Sequence, residues 1–285
     1  MTDDLAVPAA LPPGTAERAR ALAAGSLVPA VPRAAATVIL LRDAEAGTGV
    51  EVYLLRRVVS MAFAAGMHVF PGGSVDPRDA DLPASAWAGR PPAEWASVLN
   101  ADESLARSLV CAAVRETFEE AGVLLAGASA AEVVADTRAE SWEADRRALL
   151  DRSLSLAVLL ERRRLVLRSD LLRPWAHWIT PEIEPRRYDT RFFVAALPVG
   201  QRTRDVGGEA DRVAWASPEE ALAARDRGAV ELMLPTAVTL EELLPYADVA
   251  AVLHAADAGR DLRPRLPRIV VEGDRARLEL DEPGR

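Results

Sequence analysis

Arg115-Glu116-Thr117-Phe118-Glu119-Glu120-Ala121-Gly122-Val123 is the stretch on which the reading of this chain turns. On a helix, Glu116, Glu119 and Glu120 stand at i, i+3 and i+4, so their carboxylates share one face. Val110, Val114, Phe118 and Ala121 fall on a separate, apolar face. Gly122 suits the left-handed residue that stops a helix. Like charges at this spacing repel by roughly 0.3 kcal/mol per pair, so three together are a mild liability unless a cation answers them. Arg115 can pair with Glu119 at i+4, which leaves Glu116 and Glu120 in search of one. A hard divalent ion that takes carboxylate oxygens and keeps some waters fits, so Mg2+ or Mn2+ is the natural guest. Such an ion would screen a phosphate, orient it and make a bound water a better nucleophile. Taken alone, the three glutamates read more readily as the solvated acidic face of a surface helix.

A second stretch moves the balance. Met67-His68-Val69-Phe70-Pro71-Gly72-Gly73 runs a strand into a glycine-rich turn. Glycine there lets the backbone approach a ligand that a side chain would hold off. Together the two stretches resemble the halves of the Nudix box, G-x5-E-x7-R-E-U-x-E-E-x-G-U, where U is bulky and apolar. The R-E-x-x-E-E-x-G part is matched throughout, with Thr117 a mild departure at the first U. The resemblance implies Glu116, Glu119, Glu120 and the Gly73 carbonyl as metal ligands, and Arg115, Glu119 and Glu120 as the catalytic set. It also implies the Nudix α/β/α sandwich: a mixed, partly barrel-like sheet between helices, here with helical insertions.

The box is interrupted. Gly73 and Arg115 lie 42 positions apart, against 14 in the plain box, so about 28 residues are inserted. The box glutamate is consequently hard to place. Counting forward from Gly73 gives Asp79, counting back from Arg115 gives Arg107, and Asp76, Asp79 and Glu103 can each stand in. A long insert at this point resembles the subgroup of mammalian Nudix hydrolase 19, whose members are associated with coenzyme A and its acyl esters. Trp175-Ala176-His177-Trp178-Ile179-Thr180-Pro181 and the run Glu184 to Phe193 support the likeness, which covers about residues 33–225. A coenzyme A signature found upstream of P-G-G in some Nudix enzymes is met in part: Arg57 and Gly66 fit, while Val58 and Ala62 replace its serine and second arginine.

The rest of the chain sets limits. With 285 residues, half of them apolar, it can build a large core without disulfides. The net charge of -9 argues against a nucleic-acid binder. The single Cys111 cannot form an internal disulfide, fits a reducing compartment and reads as a core thiol. It also excludes the four-cysteine zinc site of bacterial NADH pyrophosphatases. No run of about 18 apolar residues exists to span a membrane. No secretory leader is visible at the N-terminus, so a cytoplasmic protein is the expectation.

Residues 1–32 read as an N-terminal arm with a helix around Ala16 to Ala24, 33–225 as the Nudix domain with its insert at about 76–103, and 226–285 as a helix and hairpin extension packed on it. Further helices are predicted over 129–165, strands over Arg173 to Pro198, and a helix opened by Ser217-Pro218-Glu219-Glu220, a capping box. Another helix is expected from near Thr239, and a hairpin from Arg268 to Leu280.

Arg186, Arg187 and Arg191, with Arg57, are candidates to grip phosphate oxygens in forked contacts, against ordinary pairing with Glu182, Glu184 and Asp189. Trp175 and Trp178 read as core before adenine platforms, and His68, His177 and His254 as structural. Glu209 and Asp211 precede a short strand, where many Nudix enzymes carry an acidic base or metal ligand. The expected reaction is metal-assisted attack of water on a diphosphate phosphorus. Coenzyme A or acyl-coenzyme A is the first substrate choice, with ADP-ribose, NADH and dinucleoside polyphosphates as alternatives. The rival from another class is a Nudix-fold nucleotide sensor without turnover. The resemblance also allows a homodimer.

Overall fold

Val38 and Leu40 point to one side of the first strand and Ile39 and Leu41 to the other, and all four are fully buried. Such a strand must be covered on both faces. The computed structural model, which describes residues 14–45, 47–57, 66–204, 210–272 and 275–280, shows how. The strands are β1 Arg33–Asp43, β2 Val50–Arg57, β3 His68–Val69, β4 Gly72–Ser74, β5 Trp87–Ala88, β6 Ala126–Gly127, β7 Val166–Arg168, β8 Arg173–Ile179, β9 Tyr188–Ala196, β10 Ala210–Ala216, β11 Arg268–Glu272 and β12 Arg275–Glu279. The helices are α1 Thr15–Ala23, α2 Pro92–Leu99, α3 Glu103–Ala121, α4 Glu140–Leu150, α5 Leu156–Arg163, α6 Pro218–Asp226, α7 Leu234–Leu243 and α8 Val249–Asp257. None of the described helices is long and apolar enough to cross a membrane.

The main sheet runs β10-β2-β1-β9-β8, with β3 beside β2 and β4 beside β1. Its central pair, β1 and β9, is parallel, and the other pairs are antiparallel, so the sheet is mixed. Among the described residues it does not close into a barrel. On one face Val38, Leu40, Tyr53, Leu55 and Phe193 meet Leu109, Val110, Val114 and Phe118 of α3. On the other, Ile39, Leu41, Val52 and Val194 meet Leu240 and Leu243 of α7 and Val252 of α8. This is the α/β/α sandwich that the box implied.

Two expected elements differ. Residues 129–139 are not helical; α4 starts only at Glu140. The segment is held open by bonds to its surroundings: Thr137 Oγ1 donates to Gly122 O (2.5 Å), Gln201 Nε2 to Val134 O (2.7 Å), and the Arg168 guanidinium to Glu132 O (2.6 Å). The last two take up backbone carbonyls that a helix would use. The helix expected from Thr239 begins earlier, at Leu234, with Pro235 in its first turn, where the missing N–H costs nothing. The capping box at Ser217 and Glu220 forms as read.

Residues after α6 return to the main sheet at two points. His68 N donates to Glu231 O (2.8 Å), with His68 paired to Leu232 in parallel. On the far edge, Ile179 N donates to Arg265 O and Arg265 N to His177 O, both 2.9 Å. The β11–β12 hairpin follows, and α1 packs on it.

Candidate active site

α3 presents the glutamate face because its other side is committed to the core. Asp102 caps its start by accepting from Leu105 N (2.8 Å), and Gly122 ends it at φ 69°. A second constraint holds the C-terminal end. Arg146 of α4, 2% exposed, donates to Glu119 O (2.8 Å) while Glu143 neutralises its charge. This satisfies one of the carbonyls that a helix leaves without an internal partner. Sequence reasoning missed Arg146; only the fold brings α4 to that helix end.

Arg115 organises the face. Its Nε and Nη2 donate to the two oxygens of Asp79, each at 3.0 Å, and Nη2 also reaches Ser74 O at 2.9 Å. Its Nη1 donates to Glu116 (2.7 Å) and more loosely to Glu119 (3.2 Å). Of Asp76, Asp79 and Glu103, it is Asp79 that the structure brings to Arg115. Asp79 is buried and takes the fork, Asp76 caps the 3-10 turn Pro77–Asp81, and Glu103 pairs with Arg107 on the helix surface. Burial pushes the Asp79 carboxyl up, and the Arg115 guanidinium opposes it. Burial likewise works against the charge on Arg115, but Glu116, Asp79 and Glu119 outweigh it and hold the group protonated.

The glycines expected in a turn lie in the short strand β4, which closes on the helix. β4 pairs with β1, Gly72 opposite Thr37 and Gly73 opposite Ala36. Gly72 N donates to Glu120 Oε2 at 2.7 Å. A Cβ on Gly73 would lie 2.5 Å from Glu116 Oε1, and one on Gly72 would lie 2.5 Å from Ala36 O. These two clashes predict different failures. Gly73→Ala meets the end of a flexible side chain, so Glu116 is expected to swing away with little change in melting temperature and a large loss of activity. Gly72→Ala meets β1 backbone and is expected to destabilise the fold itself by about 1–3 kcal/mol. Thermal melts beside activity measurements separate the two. Equal melting losses would contradict the assignment.

Glu116, Glu119 and Glu120 line one cavity of about 650 Å3 together with Gly72 and Gly73. Burial first, then the charge of Glu116, pushes the Glu119 carboxyl up to about 7. Among the described residues no three acidic, histidine or cysteine side chains converge as a closed metal cage. Arg115 bridges Glu116 and Glu119, and Glu120 is turned to Gly72 N. The donors nonetheless fit a hard cation. They are carboxylate oxygens, they crowd one another in a buried place, and the turn facing them leaves no side chain in the way. Mg2+ keeps several waters and needs only one or two protein carboxylates.

The arginine candidates separate. Arg57 and Arg186 line the cavity. Arg187 and Arg191 do not. Arg187 is buried, donating to Thr180 O (3.0 Å) and Ala30 O (2.9 Å). Arg191 is buried against Asp189, His177 and Leu99 O. Their guanidiniums tie the β8–β9 turn to the linker before β1 and to the end of α2. Trp178 reaches the cavity, whereas Trp175 donates to Glu242 beneath the Arg260 guanidinium. Asp211 lies in β10 at a register shift between Ala210 and Arg212, and Glu209 lies outside the described residues. Cys111 is buried in the core and burial pushes its thiol up, which suits an inert group.

Comparison with known proteins gives a consistent picture. The family model of the NUDT19 Nudix domain matches residues 93–241, which is 149 of the 285 residues. The acyl-coenzyme A diphosphatase NUDT19 of Xenopus laevis is 26% identical, across 74% of this chain and 64% of that protein. Its counterpart of the same name in Gallus gallus is 30% identical, across 60% of this chain and 55% of that protein. The chain therefore spans less than two thirds of the length of either relative. The crystal structure of a Nudix hydrolase from Alicyclobacillus acidocaldarius superimposes with a TM-score of 0.69 at 28% identity, covering 81% of this chain and 99% of that one.

Proposed function

The chain belongs to the Nudix family, in the division described by the NUDT19 Nudix domain, and on that footing we propose that it hydrolyses a diphosphate bond in a nucleoside diphosphate derivative with the help of a divalent cation. The observation that carries this reading is the meeting of Glu116, Glu119 and Glu120 with the Gly72–Gly73 turn in one cavity. Glu116, Glu119, Glu120 and the Gly73 carbonyl would hold the ion. Mg2+ or Mn2+ there supplies charge for the phosphate oxygens and a more acidic bound water. Water attacks one phosphorus, the bridging P–O bond breaks, and two monophosphates leave. A glutamate of this set, or Asp211 or Glu209, takes the proton of the attacking water. Arg57 and Arg186, already in the cavity, grip phosphate oxygens.

Coenzyme A and its acyl esters are the first substrates to try, because the two relatives named above are acyl-coenzyme A diphosphatases. The products would be 4′-phosphopantetheine species and 3′,5′-ADP. A panel of coenzyme A, an acyl-coenzyme A, ADP-ribose, NADH and diadenosine polyphosphates, with Mg2+, Mn2+ or EDTA, tests the reading. Turnover of one class that EDTA abolishes is expected. Tight binding without turnover of any would overturn it in favour of a sensor.

A further inference from the structure

The cavity that holds the glutamates is also lined by apolar side chains: Trp178 and Phe192 from the main sheet, and Met233, Leu234, Pro267 and Leu278 from the chain after α6. The backbone explains how these residues reach the site. The bond from His68 N to Glu231 O, and the pairing of His68 with Leu232, anchor residues 231–232 beside β3, the strand that runs into the glycine turn. The paired bonds between Arg265 and residues 177 and 179 anchor the approach to Pro267 along β8, the edge of the main sheet. Two separate attachments thus deliver one apolar surface to the cavity.

Met233 and Leu278 are also poorly explained by folding alone. Both are half-buried, and neither belongs to the two core clusters. Met233 is moreover the N-cap residue of α7 and gives it no side-chain hydrogen bond. Serine, threonine, asparagine and aspartate are strongly preferred there, because an oxygen can satisfy an amide of the first turn. An apolar side chain in a position where local structure asks for a polar one signals a demand from elsewhere. In this case the cavity is what Met233 faces.

We propose that Met233 and Leu278 determine specificity for substrates whose diphosphate carries an extended apolar arm, which lies against them while the diphosphate lies at the glutamates. This rests on the diphosphatase reading for its chemistry, but the apolar wall can be tested without turnover. Free coenzyme A and lauroyl-coenzyme A share the diphosphate and differ by a twelve-carbon chain. The wild-type protein is expected to favour lauroyl-coenzyme A in kcat/KM. Met233→Ser should reduce kcat/KM for lauroyl-coenzyme A about tenfold, the scale of a lost apolar contact, and leave that for coenzyme A unchanged. Since serine is the better cap, loss through unfolding is not expected. Leu278→Asn should act in the same direction, and Met233→Leu should retain the preference.

Titration calorimetry in EDTA with the same two probes supplies the readout independent of catalysis. Tighter binding of lauroyl-coenzyme A, lost in Met233→Ser, supports the inference even if no substrate is turned over, a result that would count against the diphosphatase reading alone. Equal binding of both probes by the wild type, or equal losses on both in the variants, overturns the inference and leaves the hydrolase reading intact.

Discussion

Replacing Glu119 and Glu120 together by glutamine is expected to lower divalent-dependent hydrolysis by about 10^3-fold or more, a loss typical of a missing acid–base or charge-stabilising group. Both side chains line the cavity beside Glu116. The fold should survive. Glutamine keeps the shape of each side chain and can still accept from Gly72 N. It also removes a charge that the metal-free chain holds under protest, because burial and Glu116 raise the Glu119 carboxyl from its ordinary 4.5 to about 7. The folded chain therefore binds this proton more tightly than the unfolded chain. The resulting contribution to stability is full below about pH 4.5 and is lost as the pH rises through 7. In EDTA, the wild type should melt at a lower temperature at pH 8 than at pH 5, and Glu119→Gln should shrink that difference. Full Mg2+-dependent turnover in the double variant would sink the proposed chemistry. An unchanged pH 5 to pH 8 difference in the single variant would sink the electrostatic account of Glu119.

Asp79→Ala should be the most damaging change outside the glutamates. It removes both oxygens that fix the fork of a buried Arg115. Breaking a buried pair by deleting one partner costs about 3–5 kcal/mol, because the remaining charge is left without its answer. The low end, ~3 kcal/mol, is expected here, since Glu116, Glu119 and Ser74 O still face Arg115. That corresponds to a fall in Tm of roughly 5 to 10 °C for a chain of this size. Activity should fall further than stability alone explains. Freed from Asp79, the guanidinium can draw closer to Glu116 and Glu119 and compete for the oxygens that a cation would use. Asp79→Glu keeps the charge and should restore most of the Tm. Calorimetric melts with steady-state kinetics on the three proteins check this. An Asp79→Ala protein that melts with the wild type would show that Arg115 is held by the glutamates instead.

The site was legible in the sequence to the extent that it is local. Glu116, Glu119 and Glu120 share a face because helical spacing demands it, whatever the fold. Gly72 and Gly73 announce a close approach, and the structure puts Glu116 and Ala36 where their missing side chains would be. The unbroken apolar run Val38-Ile39-Leu40-Leu41 demands cover on both faces of its strand, and two core clusters supply it. Arginine roles were less legible, since a guanidinium pairs as readily with a backbone carbonyl as with a phosphate. Arg186 reaches the cavity while its neighbour Arg187 turns to Thr180 and Ala30; both lie in the irregular segment before β9, where no strand periodicity foretells which way a side chain points.

What the sequence alone determined was the carboxylate face and the glycine pair, both consequences of spacing along one segment at a time; the sandwich that joins them was implied by the resemblance of those two stretches to the Nudix box. Tertiary structure decided the rest, because it depends on which distant segments meet. The insert between the box halves returns Asp79 to Arg115, 36 positions away in the chain. The 3-10 turn capped by Asp76 directs it back to the helix. Arg146 at the end of α3, and Met233 and Leu278 at the cavity, likewise owe their places to packing and to backbone bonds between segments far apart in the chain. Periodicity cannot register such contacts, because the free energy that selects them comes from burial and pairing in the assembled fold.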